Sequence, residues 1–130
     1  RDSLCYLIDI YPTLCELLDV DIPASVEGIS LWPVMNDSSR VLRDHLLFAF
    51  QDIHRAVMDE RYKLIEYAVG WSRHTQLFDH KNDPYEIHNI SEKGSSSEIL
   101  RRLRVQLENW RERWDDPCEI FWRCFNNKRR

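Results

Sequence analysis

No stretch of the sequence carries the roughly 20 consecutive apolar residues that a bilayer-spanning helix needs, so a membrane helix is excluded. Cationic charge is also short: 18 Lys and Arg against 22 Asp and Glu leave a formal charge of -4. Nucleic-acid binding requires a clustered positive footprint on phosphates, and the terminal Lys128, Arg129 and Arg130 are too few to make one. Cysteine is sparse and wrongly spaced for metal, since Cys5, Cys15, Cys118 and Cys124 form no Cys-x-x-Cys pair and have no zinc-type His pattern nearby. They read as plain core or surface thiols, with their disulfide state open. The chain begins Arg1-Asp2-Ser3, with no Met, basic leader or small-residue cleavage site, so no signal peptide is read from it. In a fragment that absence says nothing about compartment. No internal repeat is visible.

What remains is an ordinary globular mixture. The 130 residues are 43% hydrophobic and 31% charged, enough for one domain with a single core and far from a disordered composition. Leu4 to Ile8 is a short apolar run without helical spacing and reads as a strand buried on both faces. Asp9 ends it and can cap a helix with Pro12 in its first turn and Leu14, Leu17 and Leu18 on one face. Ala24 to Arg40 reads as a loop around Gly28, Pro33 and Asn36-Asp37-Ser38-Ser39, with an apolar anchor at Ile29, Leu31, Trp32 and Val34.

From Leu46 the character changes to short aromatic and β-branched runs: Leu46 to Phe50, His54 to Met58, Tyr62 to Ala68 and Thr75 to Asp79. These predict four strands. Asp59-Glu60-Arg61 and Gly70 to Arg73 are short enough to join neighbours as antiparallel hairpins, and Asn82-Asp83-Pro84 closes the sheet with a turn. Ser95 and Glu98 have capping-box spacing, and Ile99, Leu100, Leu103, Leu107, Trp110 and Trp114 then recur at three- and four-residue steps. That predicts one long amphipathic helix, ended by Asp115-Asp116-Pro117, with Arg104 and Glu108 paired on its wet face. The aromatic tail, Ile120-Phe121-Trp122 with Phe125, covers the core edge or docks elsewhere.

Three stretches in order resemble the end of a type I sulfatase of the alkaline-phosphatase-like superfamily. Asp9-Ile10-Tyr11-Pro12-Thr13-Leu14 is similar to an Asp-x-x-Pro-Thr element that opens a helix of the large domain, and Glu27 to Leu31 stands where the family has Gly-x-Ser-Leu. Arg55 to Ile65 resembles an Arg-x-Val-x-x-x-x-(Tyr/Trp)-Lys-Leu hairpin. Gln76 to Ile90 is similar to Leu-(Tyr/Phe)-Asp-Leu-x-x-Asp-Pro-x-Glu-x-x-Asn-Leu, with His80 in place of the usual Leu. Asp19 also stands where a helix-ending Gly is common, and the tail after Pro117 departs from the family.

The resemblance implies an α+β arrangement: residues 1–45 as the tail end of the large domain, 46–117 as a C-terminal subdomain with a four-stranded antiparallel sheet and a long helix, and 118–130 as an aromatic and basic tail. It also implies a sulfuric ester hydrolase whose formylglycine, made in Cys-x-Pro-x-Arg, and calcium ligands lie elsewhere. None of the four cysteines is followed by x-Pro-x-Arg, so this chain alone is expected not to cleave sulfate esters. Its implied partners are the large domain of the same protein and a sulfated carbohydrate or aryl sulfate, in a periplasmic, secreted or lysosomal setting. Exposed apolar surface on residues 4–31 and self-association of the isolated chain are expected with it.

Gln51, His54 and Arg55 are the candidate substrate contacts, because in relatives the corresponding connection and strand approach the active-site mouth. Arg55 could face an anionic sugar and His54 could donate to a hydroxyl or sulfate oxygen. Against this stands a structural reading, with Arg55 paired to an acid across the sheet and His54 a satisfied strand residue. Asp9, at the end of the first apolar run, is either a helix cap or a metal ligand. Asp79, Asp83 and Glu86 lack calcium-loop spacing and read as turn-stabilising acids. Lys63 is expected to lay its stem on apolar surface and meet an acid. His45, His74 and His88 have no spacing that gathers them. Asn36-Asp37-Ser38 and Asn89-Ile90-Ser91 are glycosylation sequons, usable only in a secreted eukaryotic protein.

An independent binding module, or a phosphoesterase or phosphotransferase of the same superfamily, are the alternatives.

Overall fold

The structure is a computed structural model that describes residues 3–70, 72–118 and 121–123. It divides into two compact units, Arg1–Leu46 and Leu47–Arg130.

In the first unit a 3-10 turn over Leu7–Asp9 leads into α1, Ile10–Leu17. Residues 4–8 are therefore not a strand. The Asp9 carboxylate accepts a hydrogen bond from Tyr6 N at 2.7 Å, which bends the chain before it can extend, and Leu7 is left 85% exposed. Pro12 occupies the first turn of α1, where its missing N–H leaves nothing unpaired. Pro12, Thr13 and Cys15 form the buried face, whereas Ile10, Tyr11, Leu14, Leu17 and Leu18 stand exposed. Asp19 ends the helix in the left-handed conformation at φ 54°, the role glycine would otherwise fill; a short polar side chain tolerates it. A second short helix, α2 at Trp32–Asn36, interrupts the expected loop, because Pro33 at its start presets helical φ.

The strands are β1 His45–Phe50, β2 His54–Asp59, β3 Tyr62–Val69 and β4 Ser72–Asp79, in a sheet of order β1-β2-β3-β4. Both β2–β3 and β3–β4 are antiparallel. The register aligns Val57, Leu64 and Leu77 in one row and Arg55, Glu66 and Thr75 in the row two residues along, on the same face. Asp59 Oδ1 accepts from Arg61 N and Tyr62 N and so closes the β2–β3 turn, and Gly70 at φ 60° allows the tight β3–β4 connection.

Helix α3, Ser97–Trp114, lays Leu100, Leu103 and Leu107 over Val57, Leu64, Ala68 and Leu77. The expected capping box does not form: a 3-10 turn over Gly94–Ser96 leads into the helix, and Glu98 instead binds Arg101 at 2.6 Å. The expected Arg104–Glu108 pair is replaced as well, since Arg104 donates to Glu66 at 2.7 Å and Glu108 accepts from Arg111 at 2.9 Å. Asp115, left-handed at φ 47°, ends the helix. Phe121 and Trp122 then close the core edge. Ile120, Cys124 and Phe125 lie outside the described residues; Cys5, Cys15 and Cys118 are free thiols.

Candidate functional site

The connection from β1 to β2 carries Gln51, and His54 and Arg55 open β2 directly after it. Gln51 begins it at φ 47°, a conformation disfavoured for any residue with a Cβ and held only where surroundings impose it. Its side chain is exposed, His54 is half-buried and Arg55 is buried. Alternation along the strand sends His54 and Arg55 to opposite faces. His54 pairs with Tyr67 across β2–β3, and its ring meets Tyr67 edge-on at 4.3 Å and Phe50 at 5.6 Å between centroids. The imidazole is thereby oriented by two aromatic neighbours.

Arg55, 5% exposed, is committed inside the unit. Its Nε and Nη2 donate to Asp116 Oδ2 and Oδ1 at 2.6 and 2.9 Å, and its Nη1 donates to the carbonyls of Gln51 and His54 at 2.8 and 2.7 Å. The guanidinium also lies over Phe121, 5.0 Å from the ring centroid. The structure thus joins the three candidates through backbone carbonyls rather than through converging side chains. Arg55 holds the Asp116 carboxyl below its usual range; burial opposes this, and Cys118 N and Trp122 Nε1 assist.

The acid opposite Arg55 in the sheet is Glu66, but that carboxylate, 2% exposed, is occupied by Thr75 Oγ1 at 2.6 Å, Arg104 at 2.7 Å and Arg73 at 3.4 Å. Glu66, which is buried, and Asp116, which is half-buried, are the two acids of this region that sequence reasoning missed. Glu66 had a signal, since it sits between Leu64 and Ala68 on the inward face of β3. A concavity of about 810 Å³ next to it is lined by Tyr67, Arg73, His74, Gln76, Asn89 and Arg104; its two arginines serve Glu66, so it is not an open cationic site.

The remaining acids act as expected in turns. Asp79 accepts from Arg61 at 2.8 Å and from Asn82 at 2.8 Å; Arg61 is the main cause that draws its pKa down to about 2. Asp83 accepts from the amides of Ile87 and His88. Glu86 lies between Lys63 and His80, each at 2.9 Å. Asn89 ties this loop to β4, accepting from Leu77 N at 2.9 Å and donating to the Thr75 carbonyl at 3.1 Å. Asp9 precedes α1 but does not cap it with its side chain. Its carboxylate, wholly buried, instead takes both Nη groups of Arg43 at 2.7 Å, Ile29 N at 2.9 Å and Tyr6 N. Burial pushes the Asp9 carboxyl up, and these donors outweigh it, leaving it below its usual value.

Among the described residues no three His, Cys, Asp or Glu side chains stand together as metal ligands. No cysteine in the sequence begins Cys-x-Pro-x-Arg, the motif in which formylglycine is made.

Residues 1–113 match the family described as N-sulphoglucosamine sulphohydrolase, C-terminal. Arylsulfatase K of Xenopus laevis is 33% identical over 116 residues, which are 79% of this chain and 21% of that protein. The Delta 4,5-hexuronate-2-O-sulfatase of Bacteroides thetaiotaomicron is 31% identical over 117 residues, 84% of this chain and 24% of that protein. The chain therefore spans less than a quarter of the length of these relatives. The solved structure of a 2-O GAG sulfatase superposes with a TM-score of 0.67 at 29% identity, covering 83% of this chain and 25% of that one. A protein solved with its substrate D-glucosamine-2-N,6-O-disulfate shares the fold, with a TM-score of 0.66 at 23% identity over 85% of this chain and 25% of that one.

Proposed function

The chain belongs to the N-sulphoglucosamine sulphohydrolase C-terminal family, and from that premise we propose that it forms one wall of the substrate cleft of a sulfatase whose bond-breaking residues lie outside these 130. The observation that carries this reading is the exposed face of α1. Ile10, Tyr11, Leu14 and Leu17 share it, with Leu7 and Leu18 at its ends, all exposed in this chain. A contiguous apolar face of this kind is the signature of a surface that another element covers. In this reading the rest of a sulfatase domain covers it, and that domain supplies the calcium and formylglycine implied by the resemblance.

A sulfated carbohydrate or aryl sulfate as substrate is supported by the relatives, two of which are named as an arylsulfatase and a hexuronate-2-O-sulfatase. Gln51 offers an exposed amide and His54 an imidazole braced by Tyr67 and Phe50, groups that can donate to the hydroxyls or sulfate oxygens of a sulfated sugar. Arg55 is given the supporting part, holding the turn rather than touching the sugar. Two measurements test this. The purified chain should show no turnover of an aryl sulfate; detectable hydrolysis would refute the division of labour. In the full-length protein His54→Ala should raise KM with little change in kcat, as loss of uniform binding does; unchanged kinetics would remove His54 from the site.

A further inference from the structure

The family match ends at residue 113, yet Cys118, Phe121 and Trp122 beyond it belong to the core. Phe121 is fully buried, Trp122 and Cys118 nearly so, and the two rings meet edge-on at 5.0 Å between centroids. Asp116 is the hub of this segment. Besides Arg55, its carboxylate accepts from Cys118 N and Trp122 Nε1, both at 3.1 Å. The Cys118 thiol sits 3.7 Å from the Asp52 carbonyl. The carbonyls of Gln51, Asp52 and His54 are thus all held by this segment, directly or through Arg55.

The geometry points to Asp116 as a positioning residue: through Arg55 it fixes the backbone of the β1–β2 turn and so sets where Gln51 and His54 stand toward substrate. This rests on the reading of that turn as part of the cleft wall. A guanidinium is a planar fork, and a bidentate carboxylate on one edge fixes the plane from which the other edge donates. With Asp116 neutralised, Arg55 loses that edge. Glu66 is no replacement, being occupied by Arg104, Arg73 and Thr75. The turn then gives up the donors that keep Gln51 in its left-handed conformation.

The test uses the full-length protein and Asp116→Asn, which keeps the side-chain shape but turns one acceptor into a donor. Leu107→Ala is the comparison, because it loosens the same core and removes none of the hydrogen bonds that hold the turn. Hydrogen–deuterium exchange of residues 50–55 is read alongside KM and kcat for whichever disaccharide of a sulfated glycosaminoglycan panel the unaltered protein cleaves fastest. Asp116→Asn should speed exchange of that segment and raise KM about tenfold with kcat nearly unchanged, and Leu107→Ala should do neither. Unchanged exchange in Asp116→Asn overturns the proposal. So does the same response from Leu107→Ala, which would make the role merely structural. Faster exchange with KM unchanged overturns it, because Asp116 would hold a turn that does not face substrate; no disaccharide cleaved by the unaltered protein instead overturns the proposed function on which it rests.

Discussion

Replacing Asp9 by Asn tests whether the first unit is held by one buried charge. Four donors converge on the two Asp9 oxygens: Arg43 twice, Ile29 N and Tyr6 N. Asparagine keeps the volume but presents an NH2 to two of those donors and strands a guanidinium whose side chain is only 13% exposed. Breaking one side of a buried ion pair costs about 3–5 kcal/mol, a large part of the stability of any small domain. Thr13 reinforces the clasp, donating to the Asp9 carbonyl and accepting from Leu31 N at 2.8 Å, so the loss should appear first where residues 29–31 join α1. Native-state hydrogen exchange reads it: protection of the Ile29 and Leu31 amides should fall by about two to four orders of magnitude. Adding Arg43→Leu removes the stranded charge, so the double variant should lose much less than the sum of the singles. Protection within about fivefold of the parent in Asp9→Asn would refute the reasoning, because the carboxylate would then be replaceable by any polar group of its size.

Gly28→Ala should undo the same clasp from the other side, since an added Cβ would stand 2.2 Å from the Ile8 carbonyl oxygen; proteolysis of residues 20–40 should accelerate, and an unaltered digestion pattern would contradict it. Phe121→Ala should lower the stability of the second unit by about 3–5 kcal/mol, read as the shift of its urea midpoint, because the ring is fully buried. Asp79 has a folded pKa of about 2 against an ordinary 3.8, so the unfolded state binds more protons in that interval and stability rises with pH there. The contribution is complete above the ordinary value and is lost as pH falls through about 2; Asp79→Asn should flatten the acid limb of the pH–stability curve, and an unchanged limb would reject the assignment.

Much of the second unit was legible because its periodicities are strong. Three- and four-residue spacing from Leu100 to Leu107 marked α3, and the short β-branched and aromatic runs marked four strands, with β4 starting at Ser72 rather than Thr75. The first unit was less legible. An apolar run such as Leu4 to Ile8 has the same pattern whether it becomes a strand or a turn that exposes it, and one carboxylate reaching back to Tyr6 N decided the matter. The exposed apolar surface on residues 4–31 was foreseen, although the burial of Pro12, Thr13 and Cys15 in place of the leucines was not. In the candidate site the residues of the turn were named, but the partner of Arg55 was not, because Asp116 lies 61 residues away and no local pattern encodes such a pairing. Ser95 and Glu98 looked like a capping box, and a 3-10 turn leading into the helix took their place.

The central claim is that these residues are the C-terminal, non-hydrolytic part of a sulfatase, and the coding frame upstream of Arg1 tests it most directly. The account predicts a continuous reading frame that contains Cys-x-Pro-x-Arg, the formylglycine site. A frame that opens close to Arg1, or a long one with a Ser or Thr nucleophile and no such motif, would contradict it.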